Sequence, residues 1–226
     1  AFDVAEGGSL SVQSLTVRNG ATPDTESGGA FRSSGYLSLK GVRALDNTVS
    51  GAGASGGAVM NDGGDLTVDT SVLSGNTAVR AGGAIEANAG TTTIVRSLLE
   101  KNMAGAAPGN GGAFHLTGAG TVVVENSRIL SNVASAEGGG LWNSGSGMMT
   151  ITGSQIRRNV SNGVDADQGG GGLFNDGGTM VLHRSNVTLN KAIDGSGSGG
   201  GVLNNGGSFT ATASNVSQNE AARAGG

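Results

Sequence analysis

In this 226-residue chain the side chains suited to acid–base or metal chemistry are two histidines, His115 and His183, and a set of dispersed acids. Cysteine is absent, which removes thiolate metal sites and disulfides together. Glycoside cleavage needs two carboxyl groups facing one another across the scissile bond. A bound zinc needs three or four ligands converging on one point. Asp46, Asp69, Glu86, Glu100, Glu125, Glu137, Asp165 and Asp167 show no such pairing along the chain, and neither histidine has partner ligands at a repeated spacing. One constellation comes within reach if the chain repeats. Glu86 then lies one repeat from His115 and two repeats from Arg32. A solvated polar face is the preferred reading of these three. No catalytic residue, metal or cofactor is therefore assigned, and an enzyme is not expected.

Positioning those residues falls to a repeat with two recurring parts. The first reads SGGAFRSSG at 27–35, SGGAVMNDGG at 55–64, AGGAIEANAG at 81–90 and GGAFHLTGAG at 111–120. It returns as GGGLWNSGSG at 138–147, GGGLFNDGG at 170–178 and GGGVLNNGG at 199–207. A glycine pair and a small residue precede an apolar position held by Phe31, Val59, Ile85, Phe114, Leu141, Leu173 and Val202. The second part is an alternating apolar run closing on asparagine, as in MTITGSQIRRN at 149–159. The closing residues are Asn19, Asn47, Asn76, Asn102, Asn132, Asn159, Asn190 and Asn219, spaced 26 to 31 residues apart. Six repeats place a serine five residues earlier: Ser71, Ser97, Ser127, Ser154, Ser185 and Ser214. Ser14 holds the same offset in a repeat one residue shorter upstream, and Val42 stands there in the second repeat.

Short period-2 runs divided by glycine and asparagine turns are strands of four or five residues. A repeat near 28 residues holds three of them, one coil of a β-helix. The expectation is an all-β, right-handed parallel β-helix of about eight coils, one domain over 1–226. Stacked at the ~4.8 Å strand spacing, the coils make a rod on the order of 40 Å long. Equivalent residues then overlie one another, so the asparagines form an internal ladder of side-chain amides and the serines turn inward at another corner. Loops leave one edge, in the stretches of variable length after each asparagine, at 48–54, 103–110 and 160–168. The 45 glycines are about three times the usual ~7% share, yet only Pro23 and Pro108 accompany them, with no Gly-X-Y period. A propeller blade needs about 40 residues. Leucine-rich repeats and tandem calcium-binding nonapeptides do not fit the pattern.

The pairing of GGAF, GGAV, GGAI, GGGL and GGGV with apolar-x-x-Asn resembles the repeat of polymorphic outer-membrane proteins, GGA[ILV] with FxxN. The resemblance spans essentially the whole chain, with Ile, Val or Leu where that family often has Phe. It implies a parallel β-helix in a bacterial surface or secreted protein, many of which are adhesins. Partners on this reading are a surface carbohydrate or a host or cell component. The net charge of −4 argues against nucleic acid, and no apolar run approaches the ~20 residues of a membrane span. Pectate-lyase-like and glycosidase-like β-helices supply the alternative, a polysaccharide-binding or polysaccharide-cleaving protein.

Two further features bear on function. The position after the inward apolar residue reads Arg32, Met60, Glu86, His115, Trp142, Phe174, Leu203. Alternation directs it outward, and Trp142, Phe174 and Leu203 form an apolar contact strip, for packing against a loop or neighbouring rod or for a sugar. Ice binding would want a threonine array, and Thr91–Thr93 does not recur between coils. The termini each cut the repeat, and joining Gly225-Gly226 to Ala1-Phe2 recreates GGAF. The chain is thus expected to be a segment of a longer array or a subunit that stacks on itself head to tail into a filament.

Overall fold

A computed structural model describes residues 2–22, 26–106 and 108–226. Ala1, Pro23 and Ala107, which enter the readings of the termini and loops above, lie outside them. The chain is a parallel β-solenoid of about seven turns, some 29 residues apart, and none of the described residues is helical. Among the described residues eight strand layers stack into a first sheet of 14 strands, a second of eight that contains Arg43–Leu45 and a third of eight that contains Thr48–Val49. The second layer shows the unit: Phe31–Ser33, Tyr36–Lys40, Arg43–Leu45 and Thr48–Val49. In the third and fourth layers the first two strands run together as Val59–Asp69 and Ile85–Val95.

Six of the layers therefore have four strands where three were expected, and the fusion leaves three in the third and fourth. The extra one is the two-residue strand directly after the asparagine turn, such as Thr48–Val49 or Thr77–Ala78. The variable loops begin only beyond it. Strand register places apolar residues over apolar residues, as in Phe31 beside Val59 and Ile85 beside Phe114. Four columns meet in the interior. Ile85, Phe114 and Leu141 belong to one, Leu66, Val122 and Met149 to the second, Val68, Ile94 and Ile151 to the third, and Leu99, Ile129 and Ile156 to the fourth. All are buried, each contributing about 1.5–3 kcal/mol relative to exposure.

The corners explain the invariant residues of the repeat. Gly111 has φ +65°, and a Cβ there would lie 2.4 Å from the Phe114 carbonyl oxygen. At Gly112 a Cβ would lie 2.2 Å from the Gly139 carbonyl oxygen of the next layer. The first glycine supplies a left-handed turn and the second a close backbone approach.

At the asparagine corner the chain enters through a left-handed residue, among them Asp46, Lys101, Arg158 and Leu189. Such a residue costs roughly 1–2 kcal/mol when it is not glycine, and the ladder offsets that cost. Asn102, for example, donates its backbone N–H to Asn132 Oδ1 at 3.0 Å and its Nδ2 to the same oxygen at 2.9 Å. Its Nδ2 also reaches the Leu73 carbonyl of the preceding layer at 3.0 Å. The same pattern links Asn47, Asn76, Asn102, Asn132, Asn159, Asn190 and Asn219. The serine column works likewise: Ser97 N–H donates to Ser127 Oγ at 3.0 Å, while Ser97 Oγ donates to the Val95 carbonyl at 2.8 Å.

Asn19 is not a rung. Arg18 pairs with Leu45, so Asn19 falls opposite Asp46 and Gly20 opposite Asn47. Asn19 is exposed at φ +54°, and the Gly20 N–H makes the bond to Asn47 Oδ1 at 2.9 Å. Ser14 is displaced in the same way, itself left-handed at the turn before the serine corner. The register to the second layer is unbroken through both corners, so Ser14 and Asn19 each stand one residue before the column position, which Leu15 and Gly20 occupy.

Candidate functional site

The strands that open each layer bury one side chain in the core and direct the next to the other side of the sheet. That second row runs Arg32, Met60, Glu86, His115, Trp142, Phe174, Leu203, each paired with the next by strand register. The expectation of an exposed strip fails for its middle. Met60 is 6% exposed, Glu86 0%, His115 3%, Trp142 8% and Phe174 0%. Only Arg32 and Leu203 are half-buried. The glycine-pair corner is the reason: it turns the chain back against the row, and a Cβ on Gly111 or Gly138 would meet the Cβ of His115 or Trp142 at 2.7 and 3.0 Å. Trp142 and Phe174 are thus packed within the chain and are not a free contact surface.

Stacking does bring Glu86 to His115. The imidazole Nδ1 lies 3.0 Å from both carboxylate oxygens of Glu86. The Thr117 hydroxyl donates to Glu86 Oε1 and lies 3.2 Å from His115 Nδ1. With a carboxylate opposite it, Nδ1 carries the ring proton. His115 stacks on Trp142 at 4.3 Å between ring centroids, and Trp142 lies nearly parallel to Phe174 at 6.0 Å. Trp142 Nε1 donates to Glu137 Oε2 at 2.9 Å, and Asn110 Nδ2 donates to the same oxygen at 3.1 Å. Burial raises the Glu137 carboxyl above its ordinary pKa; the Trp142 N–H opposes this, and the charges of Asp176 and Asp167 add to it.

Arg32 takes no part in that cluster. It bridges Glu26 at 2.9 Å and Asp62 at 3.2 Å, and its pKa is raised chiefly by the hydrogen bond to Asp62. His183 bonds the Thr212 hydroxyl at 2.8 Å on the exposed outer face of the same sheet. Among the described residues no group of three or more His, Asp or Glu is placed to hold a metal ion.

A carboxylate-oriented imidazole is a common base in catalysis, since the carboxylate fixes the tautomer and aims the other nitrogen at a substrate. That chemistry needs access. Glu86 and His115 are closed in beneath the corner and against Trp142, so their arrangement satisfies buried polar groups and locks the aromatic stack.

A second asparagine column was not anticipated. Asn143 Nδ2 donates to Asn175 Oδ1 at 2.8 Å, and Asn175 Nδ2 to Asn204 Oδ1 at 2.7 Å. The signal was present in GGGLWN, GGGLFN and GGGVLN. These bonds run from each Nδ2 to the following Oδ1, so the first member has no donor before it. Asn143 Oδ1 is buried without a partner for this reason, where Leu116 occupies the preceding layer.

Comparison with protein-family models, curated proteins and solved structures returns no match to this chain.

Proposed function

We propose that the chain is a structural solenoid of a bacterial extracellular or cell-surface protein, an adhesive rod that associates end to end. The observation that carries this reading is the use made of the polar side chains. Asparagine, serine and even the Glu86–His115 pair lie inside the rod, where they tie one layer to the next. Such columns stiffen a long thin object whose core is only four apolar columns wide. The GGA-apolar and apolar-x-x-Asn repeat, with its likeness to polymorphic outer-membrane proteins, supports the surface location.

End-to-end association draws support from the terminal layers. Phe2, Leu15 and Val216 are 39%, 39% and 48% exposed, and the edge strands Phe2–Val4 and Val202–Asn204 are each paired on one side only. An in-register second copy continues the apolar columns, setting Val17 after Val216 and Phe2 after Val202. The corners match less well. The N–H groups of Ser214 and Asn219 would meet Leu15 and Gly20, which offer no side-chain acceptor. The contact is accordingly reversible and concentration-dependent. Light scattering over a concentration series, with electron microscopy of the same samples, tests this. Rods that lengthen with concentration, and that Val216→Lys returns to single units, are expected. Single particles at every concentration would overturn end-to-end assembly.

A further inference from the structure

We infer that the outer face of the second sheet, from the fifth to the eighth layer, is a groove for a linear carboxylate-bearing polysaccharide of the uronic-acid type. Three adjoining hollows of about 230, 90 and 480 Å³ lie there, the third reaching across the asparagine corner onto the strands Val160–Ser161, Lys191–Ala192 and Glu220–Ala221. The first two share Gln155 and Arg157, and the third joins them through Arg158, Leu189 and Gln218. Strand register sets Arg128, Gln155, Asn186 and Asn215 in one line across the layers. Leu130, Arg157, Thr188 and Ser217 form the line beside it. The groove therefore runs along the rod over four layers, roughly 14 Å at the usual strand spacing.

Its charge is opposite to that of the whole. The chain carries −4, yet Arg128, Arg157 and Arg158 line the groove, and among the described residues none of them is ion-paired. Lys191 and Glu220 also line the third hollow, where they neutralise one another at 2.7 Å, and at the border Glu100 accepts from the Ser74 hydroxyl at 3.4 Å. A guanidinium offers a planar fork that pairs with a carboxylate through two parallel hydrogen bonds. Beside that neutralised pair, the polar lining includes Gln155, Asn186, Thr188 and Gln218, neutral groups that both donate and accept, as sugar hydroxyls require. Three unpaired cations among neutral hydrogen-bonding groups fit a ligand with one charge and several hydroxyls per unit better than a densely sulfated chain. Nucleic acid fits less well still, because no aromatic side chain lines the groove for base stacking. The groove lies on the flank of the rod, so it stands independently of end-to-end association.

Calorimetric titration with oligogalacturonate tests the assignment, with a heparin oligosaccharide and a neutral glucan oligomer as comparison ligands. Oligogalacturonate is expected to bind, the glucan not to, and heparin no more tightly than the uronate. Arg128→Ala and Arg157→Ala should each weaken uronate binding roughly tenfold, in keeping with loss of a charge-assisted contact. Arg223→Ala, an equal change of charge outside the groove, should leave it unaltered. Far-UV circular dichroism checks that each variant is folded, and Arg128, being exposed, keeps the test valid if Arg157→Ala is not. Absence of uronate binding, tighter binding of heparin, or an equal loss in Arg223→Ala would overturn the proposal. Light scattering on the same samples reports the assembly state separately, so either reading can fail alone.

Discussion

Replacing Asn132 by alanine removes one rung from the middle of the ladder, and the structure sets the size of the effect. Asn132 Nδ2 donates to the Leu99 carbonyl at 3.0 Å and to Asn159 Oδ1 at 2.9 Å. Its Oδ1 accepts from the Asn102 backbone N–H at 3.0 Å and from Asn102 Nδ2 at 2.9 Å. Asn159 Oδ1 keeps the backbone N–H of residue 132, and Asn102 Nδ2 keeps the Leu73 carbonyl. The Leu99 carbonyl and the Asn102 N–H are left without a side-chain partner, in a place that is 0% exposed. At about 1–3 kcal/mol for each stranded buried group the loss is roughly 4 kcal/mol. For a chain of this length that is a fall of roughly 8–16 °C in Tm. Asn219→Ala should cost less than Asn132→Ala, because the Asn190 N–H and the Val187 carbonyl that it strands lie next to the open edge, where water can replace the lost amide. Asn19→Gly should stay within about 0.5 kcal/mol, since Asn19 is exposed, left-handed and off the ladder. Thermal and urea unfolding followed by circular dichroism measures all three. Because long repeat arrays can lose cooperativity, hydrogen exchange at the Asn102 amide supplies a local readout and should accelerate in Asn132→Ala alone. Equal losses for the three variants, or a change below about 1 kcal/mol at Asn132, would refute the reasoning.

Three further outcomes are expected. Gly112→Ala should abolish stable folding, as its Cβ would sit 2.2 Å from the Gly139 carbonyl oxygen, whereas Gly53→Ala, with nothing within 4 Å, should leave the melting temperature unchanged. Phe174→Ala should cost about 3–5 kcal/mol in denaturant titration, the price of emptying a closed aromatic site; a loss under about 1 kcal/mol would mean that the ring is an open contact surface after all. Glu137 has a folded pKa raised by burial, so the folded state binds more protons than the unfolded one between the ordinary carboxylate value and the raised one. Its contribution to stability is therefore present at low pH and declines as pH rises through that window. Glu137→Gln should raise the melting temperature near pH 7 and leave it little changed at about pH 4, below the ordinary glutamate pKa; the opposite ordering would show that the Trp142 hydrogen bond, and not burial, governs this carboxyl.

Much of the architecture was legible because a solenoid repeats its local rules. The glycine pair before Phe31, Val59 and Ile85, and the serine and asparagine five residues apart, each mark a corner whose geometry recurs in every layer. The first repeat shows the limit of pattern matching. Asn19 satisfies the spacing, but strand pairing of Arg18 with Leu45 decides the register and sets Asn19 one residue ahead of the ladder, with Gly20 in its place. The strand after each asparagine was missed for a different reason: two residues are too few to display a period.

The sequence by itself determined the repeat length, the inward apolar columns and the identity of the corner residues, since these follow from side-chain size, alternation and the conformations glycine permits. Whether an outward position is a surface was decided only by the tertiary structure. Alternation sends Glu86, His115, Trp142 and Phe174 away from the core, yet the glycine corner folds back on them and closes the row. Likewise Arg128, Arg157, Gln155 and Gln218 are unremarkable along the chain, and only the stacking of layers gathers them into one groove. Direction along a strand is local chemistry; burial and neighbourhood depend on which layers and corners the fold lays against it.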